Sequence, residues 1–200
     1  MRPWYKFVYC LIYPFFSLAH PTRAIGIEKL PEGGVLLCAN HTKASDPFFI
    51  IFSIGLKRQI SAMAKAEIMR VPVVGWLLKK AGIIGVNRGK ADVGAIKAAM
   101  KELKAGGCLI MFPEGTRVAE GKEEDHEAKT GAAMLSTRTG APIVPIYIPR
   151  KKNWFRPTTI VIGDAYHPHF EGKRATAEDY QVIADDLMER IFALAEQVKE

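Results

Sequence analysis

The chain has little that would mark a secreted, metal-dependent or repetitive protein. Its 200 residues include three cysteines, an odd number with no C-x-x-C pair. Cys10, Cys38 and Cys108 each sit in an apolar run and are expected to be reduced, buried and structural, which suits the cytosol. No spacing of histidine, cysteine or carboxylate suggests a metal site, and neither serine nor cysteine stands in a nucleophile motif. Repeats, low-complexity tracts and a domain linker are absent. A hydrophobic run of full membrane length is missing too. Residues 4–19 are the most apolar part, but as a helix they would rise roughly 24 Å, short of the roughly 30 Å hydrocarbon core. Pro14 would kink that helix, and no small-residue cleavage site follows it.

That first segment is crowded with Trp4, Tyr5, Phe7, Tyr9, Tyr13 and Phe16, with Arg2 and Lys6 in front and Arg23 behind. Aromatic rings flanked by cations suit the headgroup interface. Residues 1–24 are therefore expected to be a membrane-anchoring segment lying on the bilayer. A short span and a helix docked on the protein's own core are the alternatives. Residues 25–200 form one further domain, long enough to bury a core.

The charge balance is basic: 28 Lys and Arg against 21 Asp and Glu give +7 at neutral pH and a pI near 9.3. Such an excess suits an anionic partner. The basic residues are dispersed and no nucleic-acid recognition motif is present, which argues against DNA or RNA.

Apolar strands at Val35–Ala39, Ile60–Ala64, Ile83–Val86, Cys108–Phe112, Ile143–Ile148 and Thr158–Ile162 alternate with helical patterns. Pro145 suggests an edge strand or an irregularity. A helix over 47–54 ends at Gly55. Another, with Val93, Ile96, Met100 and Leu103 at helical spacing, stops at Gly106-Gly107, and Lys129–Thr139 reads as a third. The last is capped by Thr176 with Asp179 three residues on, and Tyr180, Ile183, Leu187, Ile191 and Leu194 form its apolar stripe. Trp76 and Leu77, after Pro72, are read as core residues, with an acyl-chain pocket or a membrane contact as the alternatives. Residues 120–129, including His126, form a charged loop with no expected role. Arg150-Lys151-Lys152 reads as another solvated loop, with anionic headgroups as its alternative partner. Together these elements predict a single α/β domain with a mixed, largely parallel sheet flanked by helices.

Three polar stretches each follow an apolar strand. In an open α/β sheet, ligands bind beyond the carboxyl ends of the strands, so the three are candidates for one site. The first is Asn40-His41-Thr42-Lys43-Ala44-Ser45-Asp46-Pro47. Pro47 can open a helix with Asp46 as its N-cap. Five residues across that corner can fold His41 back onto Asp46. A carboxylate on one ring nitrogen leaves the other able to take a proton from a hydroxyl. The second is Asn87-Arg88-Gly89, and the third Pro113-Glu114-Gly115-Thr116-Arg117. Arg88 and Arg117 would offer forked cations to a phosphate. Glu114, before a glycine on a tight turn, would accept a substrate hydroxyl or orient Arg117.

The pattern N-H-x-x-x-x-D at Asn40, His41 and Asp46, with Phe112-Pro113-Glu114-Gly115-Thr116-Arg117 about seventy residues on, resembles the 1-acylglycerol-3-phosphate acyltransferase family. Gly85–Gly89 with Arg88 resembles its intermediate motif, and Val144-Pro145-Ile146 its fourth. The resemblance covers residues 40–148 and implies a glycerol-3-phosphate acyltransferase-like fold. It also implies acyl transfer from acyl-CoA or acyl-carrier protein, as co-substrate and without a cofactor, to a lysophospholipid hydroxyl at the cytoplasmic face of a membrane. His41 would be the base and Asp46 its orienting partner. Arg88, Glu114, Gly115, Thr116 and Arg117 would bind the glycerol phosphate, and Val144, Pro145 and Ile146 would shape the acyl or acceptor pocket. Family members often carry serine two positions after the histidine. Here that position is Lys43, and the serine is Ser45. The resemblance points first to lysophosphatidic acid, acylated at its second glycerol hydroxyl to give phosphatidic acid; glycerol 3-phosphate or another lysolipid is the alternative acceptor, and a non-catalytic lipid-binding protein the alternative function.

Overall fold

The computed structural model describes residues 1–87, 92–118 and 128–198. Its centre is a seven-stranded sheet. The strands are β1 (Thr22–Ile25), β2 (Val35–Ala39), β3 (Ile60–Lys65), β4 (Ile84–Val86), β5 (Cys108–Met111), β6 (Ile143–Tyr147) and β7 (Thr158–Ile162). They lie in the order β1-β7-β6-β2-β5-β3-β4. All pairs are parallel except β6 with β7. The mixed, largely parallel sheet expected from the alternation is therefore present.

Strand β2 is buried at every position, as a strand covered on both faces must be. Its side chains alternate between two cores. Leu37 and Ala39 pack with Phe49, Ile50, Val144 and Ile146 on one face. There the cover is α2 (Asp46–Ile54), with Phe16 of α1 (Pro3–Ala19) against it. Leu36 and Cys38 face the other way. They pack under α4 (Val93–Lys104), α5 (Gly131–Thr139) and α6 (Ala177–Ala193). The short helix α3 (Val74–Ala81) lies beside α1, where Trp76 meets Trp4 edge-on at 4.8 Å.

Several expectations are corrected. Pro145 is not on an edge strand, since β6 lies between β2 and β7. The ladder to β7 instead begins only at Ile146, which spares Pro145 a bond it could not donate. Strand β1 had no sequence signal. It is four residues of a polar-apolar mixture, paired along its whole length with β7, so residue 24 falls inside the sheet. Trp76 is half-exposed, and Cys10 faces solvent on α1 while Cys38 and Cys108 are buried.

Helix α1 continues through Pro14 and is 17 residues long. Among the described residues no helix is long and apolar enough to cross a membrane. One side of α1 docks on the domain. Tyr5 is buried, its hydroxyl pushed up to about 12 by desolvation, and Tyr9, Tyr13 and Phe16 all pack on Phe52. The opposite side leaves Phe7, Leu11, Phe15 and Leu18 exposed.

Candidate active site

The site lies at the carboxyl end of β2, the middle strand, where the loops after β5 and β6 also arrive. Asn40 continues β2 by a side-chain mimic of the ladder. Its amide nitrogen donates to the Ile148 carbonyl at 2.8 Å, and its amide oxygen accepts the Ile148 N–H at 2.8 Å. An amide that replaces a ladder pair lets the two chains diverge without stranding buried backbone groups. It also fixes where the segment after β6 begins.

His41 follows, and Asp46 closes back onto it. The Asp46 carboxylate has no solvent exposure. Its Oδ2 accepts the backbone N–H groups of Thr42 and Lys43 at 2.7 and 2.8 Å, and lies 3.0 Å from Nδ1 of His41. A carboxylate only accepts, so Nδ1 carries the proton and Nε2 is left as the acceptor. Asp46 is not the N-cap of α2. Ser45 holds that position, and Asp46 is the first helical residue, its side chain turned back over the loop instead of forward over the helix. The loop's own N–H groups compete for the carboxylate and win, because they lie on the same side as the histidine. The replacement of serine by Lys43 leaves this intact, since residue 43 contributes its backbone.

The second oxygen of Asp46 has a partner that the sequence did not reveal. Nζ of Lys152 lies 2.9 Å from Oδ1 and donates to the Thr42 hydroxyl at 2.8 Å. The Lys152 side chain is 1% exposed, so the reading of this stretch as a solvated loop fails at that residue. Nothing local distinguishes Lys152 from Arg150 and Lys151. Only the return of the β6 loop over β2 does. Burial by itself would raise Asp46, but the hydrogen bond from His41 and the pairing with Lys152 outweigh it and hold the carboxyl below its usual range. Desolvation pushes Lys152 down, against the upward pull of Asp46.

The loop after β5 supports the histidine from the other side. Glu114 is buried, and its Oε2 accepts the His41 backbone N–H at 2.5 Å. It therefore holds His41 in place, a task not foreseen beside the substrate contact expected of it. Phe112 stacks on the imidazole, ring centres 4.1 Å apart, and the Val118 N–H donates to the His41 carbonyl at 2.9 Å. Gly115 has φ +69°, and a side chain there would meet Lys129 at 3.0 Å, so the tight turn requires glycine. Thr116 and Arg117 are exposed on the same loop. Arg88 and Gly89 lie outside the described residues, as does His126. Val144 and Ile146 are fully buried in the core beneath the site, with Pro145 buried between them. Among the described residues no three His, Cys, Asp or Glu side chains gather closely enough to hold a metal ion.

A groove of about 650 Å³ opens beside the loop, lined by Leu11, Phe15, Phe48 and Trp154, with Ala44 and Ser45 at its edge. Chemically, the arrangement offers an oriented imidazole, an exposed arginine on the neighbouring loop and an open apolar groove.

Comparison with known proteins agrees with that chemistry. The family described as Acyltransferase matches residues 22–149. A 1-acyl-sn-glycerol-3-phosphate acyltransferase of Pseudomonas aeruginosa is 31% identical over 191 residues, covering 89% of this chain and 71% of its own. One from Bacillus subtilis is 32% identical over 143 residues, covering 70% and 69%. The crystal structure of the 1-acyl-sn-glycerophosphate acyltransferase PlsC from Thermotoga maritima matches the fold with a TM-score of 0.71. It is 24% identical, and the match covers 98% of this chain and 81% of that one. A matched region that contains the His41–Asp46 pair, the Glu114 loop and the strands that hold them places this chain in the acyltransferase family.

Proposed function

We propose that the enzyme moves a fatty acyl group from acyl-CoA or acyl-carrier protein to the sn-2 hydroxyl of 1-acylglycerol 3-phosphate, giving phosphatidic acid. The observation that carries this reading is the His41 ring, held by Asp46 through Nδ1 so that Nε2 is free to act on a hydroxyl. The names of the relatives point to the same acceptor.

In the reaction, Nε2 of His41 removes the proton of the acceptor hydroxyl as its oxygen attacks the thioester carbonyl carbon. The carbon–sulfur bond then breaks, the proton passes from Nε2 to the departing sulfur, and an ester and a free thiol result. Asp46 stabilises the imidazolium that exists between those two transfers. Arg88 and Arg117 bind the phosphate, and Glu114, Gly115 and Thr116 shape the turn that receives it. Val144, Pro145 and Ile146 back the apolar end of the site. The groove beside Ala44 and Ser45 suits an acyl chain, being walled by rings and aliphatic side chains. The exposed stripe of α1, with Trp76 and Trp154 near its two ends, suits the cytoplasmic surface of a membrane that holds the acceptor.

The test is acyl transfer by the purified chain in detergent, from labelled acyl-CoA and acyl-carrier protein, to 1-acylglycerol 3-phosphate, glycerol 3-phosphate and lysophosphatidylcholine. Phosphatidic acid is the expected product. His41→Ala should lower the rate by on the order of 10²–10⁴, and Arg117→Ala should raise KM for the phosphorylated acceptor. Transfer only to another acceptor would replace the substrate and keep the mechanism. No transfer by folded protein that still binds vesicles would favour a lipid-binding role.

A further inference from the structure

The two oxygens of Asp46 divide their work. Oδ2 takes the histidine and two backbone N–H groups, and Oδ1 takes Lys152. Lys152 comes from a loop more than a hundred residues downstream of Asp46. The Asn40–Ile148 clamp delivers that loop, and the ammonium lies 5.9 Å from the Phe49 ring centre as well as against Asp46 and Thr42. Burying a lysine is costly unless it is paired, and a lysine this enclosed has one carboxylate to pair with in that contact set.

We propose that Lys152 is a positioning residue of the acyl-transfer site: it grips the far oxygen of Asp46 and the Thr42 hydroxyl, and so holds the carboxylate in register with His41 while sharing its charge. This rests on the reading of His41 as the base. A carboxylate gripped at one oxygen only can rotate and release the ring, and an imidazole free to turn no longer presents Nε2 to the hydroxyl. With a cation on Oδ1, the carboxylate stays on Nδ1 and the ring stays oriented. Among the described residues, the other charged or titratable groups facing this cluster are Lys43 on the catalytic loop, Arg150 on the same segment as Lys152, Glu114 on the β5 loop and His20 after α1. Lys43 and Arg150 disfavour a charged Lys152, so the pairing with Asp46 is what retains its proton.

The experiment uses the full chain in detergent, with histidines isotopically labelled and the His41 signal identified by its loss in His41→Ala. In Lys152→Met the Nδ1–H signal of His41 should exchange with solvent about tenfold faster, because the carboxylate that holds it is no longer fixed. Turnover should fall with it, kcat dropping about tenfold while KM for either substrate is unchanged. Lys152→Arg should restore both. An unchanged His41 signal, or a loss that falls on KM instead of kcat, would overturn the proposal in favour of a packing role. If Lys152→Met does not fold, Lys152→Gln takes its place, and failure of both to fold would also decide for packing. The NMR arm needs no substrate. A wild-type chain that transfers to none of the acceptors would therefore refute the proposed function without touching the result for Lys152.

Discussion

Helices α1 and α6 have the same length, 17 residues, and opposite relations to the domain. Helix α6 is built to stand on a soluble core. Thr176 and Asp179 form a full capping box, acids occupy its first turn, and Arg190 pairs with Asp186 on the outer face. Its inner stripe, Ile183, Leu187 and Ile191, is almost entirely buried. Helix α1 has no side-chain cap, no acid in its first turn and a proline inside, and Tyr5 is its one buried residue. It is apolar on both sides. Its Tyr9, Tyr13 and Phe16 are taken up by the rings of α2, and Phe7, Leu11, Phe15 and Leu18 are left in the open at helical spacing. Amphipathicity is complete when one face has a core and the other has water. An apolar outer face calls for a third environment.

The contrast can be tested, starting with the largest expected effect on folding. Leu187→Ala should cost about 2–5 kcal/mol in chemical denaturation, because it opens a cavity between α6 and the sheet. A loss below about 1 kcal/mol would mean that α6 is not anchored as its burial implies. Thr176→Ala should cost about 1 kcal/mol by removing the cap, with amide exchange rising first in the opening turn of α6. A smaller, pH-dependent effect follows from Asp179. Its carboxyl is held below the usual range by the Thr176 backbone N–H and hydroxyl. That stabilisation is present above the carboxyl's unfolded range and is lost as pH falls through its lower folded value. The stability difference between wild type and Asp179→Asn should therefore narrow from pH 7 to pH 3, and a constant gap would exclude this cause. Replacing Phe7, Leu11, Phe15 and Leu18 together by serine should change stability least, since their surface is already exposed. Binding to anionic vesicles should nevertheless fall by an order of magnitude or more. Unchanged sedimentation with vesicles would remove the membrane from the account of α1.

The same division between local and non-local signals governs what the chain shows before it folds. The capping box of α6, its stripe and the apolar strands are local patterns with a period, and each is where its pattern puts it. The His41–Asp46 contact was equally legible, because five residues and a proline leave few ways to turn a corner. Strand β1 was not legible. Thr22–Ile25 has no alternation of its own and is a strand because β7 offers a free edge. Lys152 is indistinct in the sequence for a related reason. In the sequence it is one of three consecutive basic residues, and only the return of its loop over β2 separates it from its neighbours. Asn40 and Glu114 were noticed as parts of motifs. Their tasks of bridging β2 to the β6 segment and of holding the His41 N–H depend on strands 70 to 110 residues apart lying side by side.

The sequence alone determined the alternation of strands and helices, the closeness of His41 and Asp46, the glycine turn after Glu114 and the start of the last helix, since each depends on residues within a few positions of one another. The tertiary structure decided that Asp46 turns back to the loop and not forward to its helix, that a buried lysine completes the carboxylate's shell, and that one side of α1 is free. Those outcomes depend on which strands become neighbours, and that choice belongs to the packing of the whole sheet.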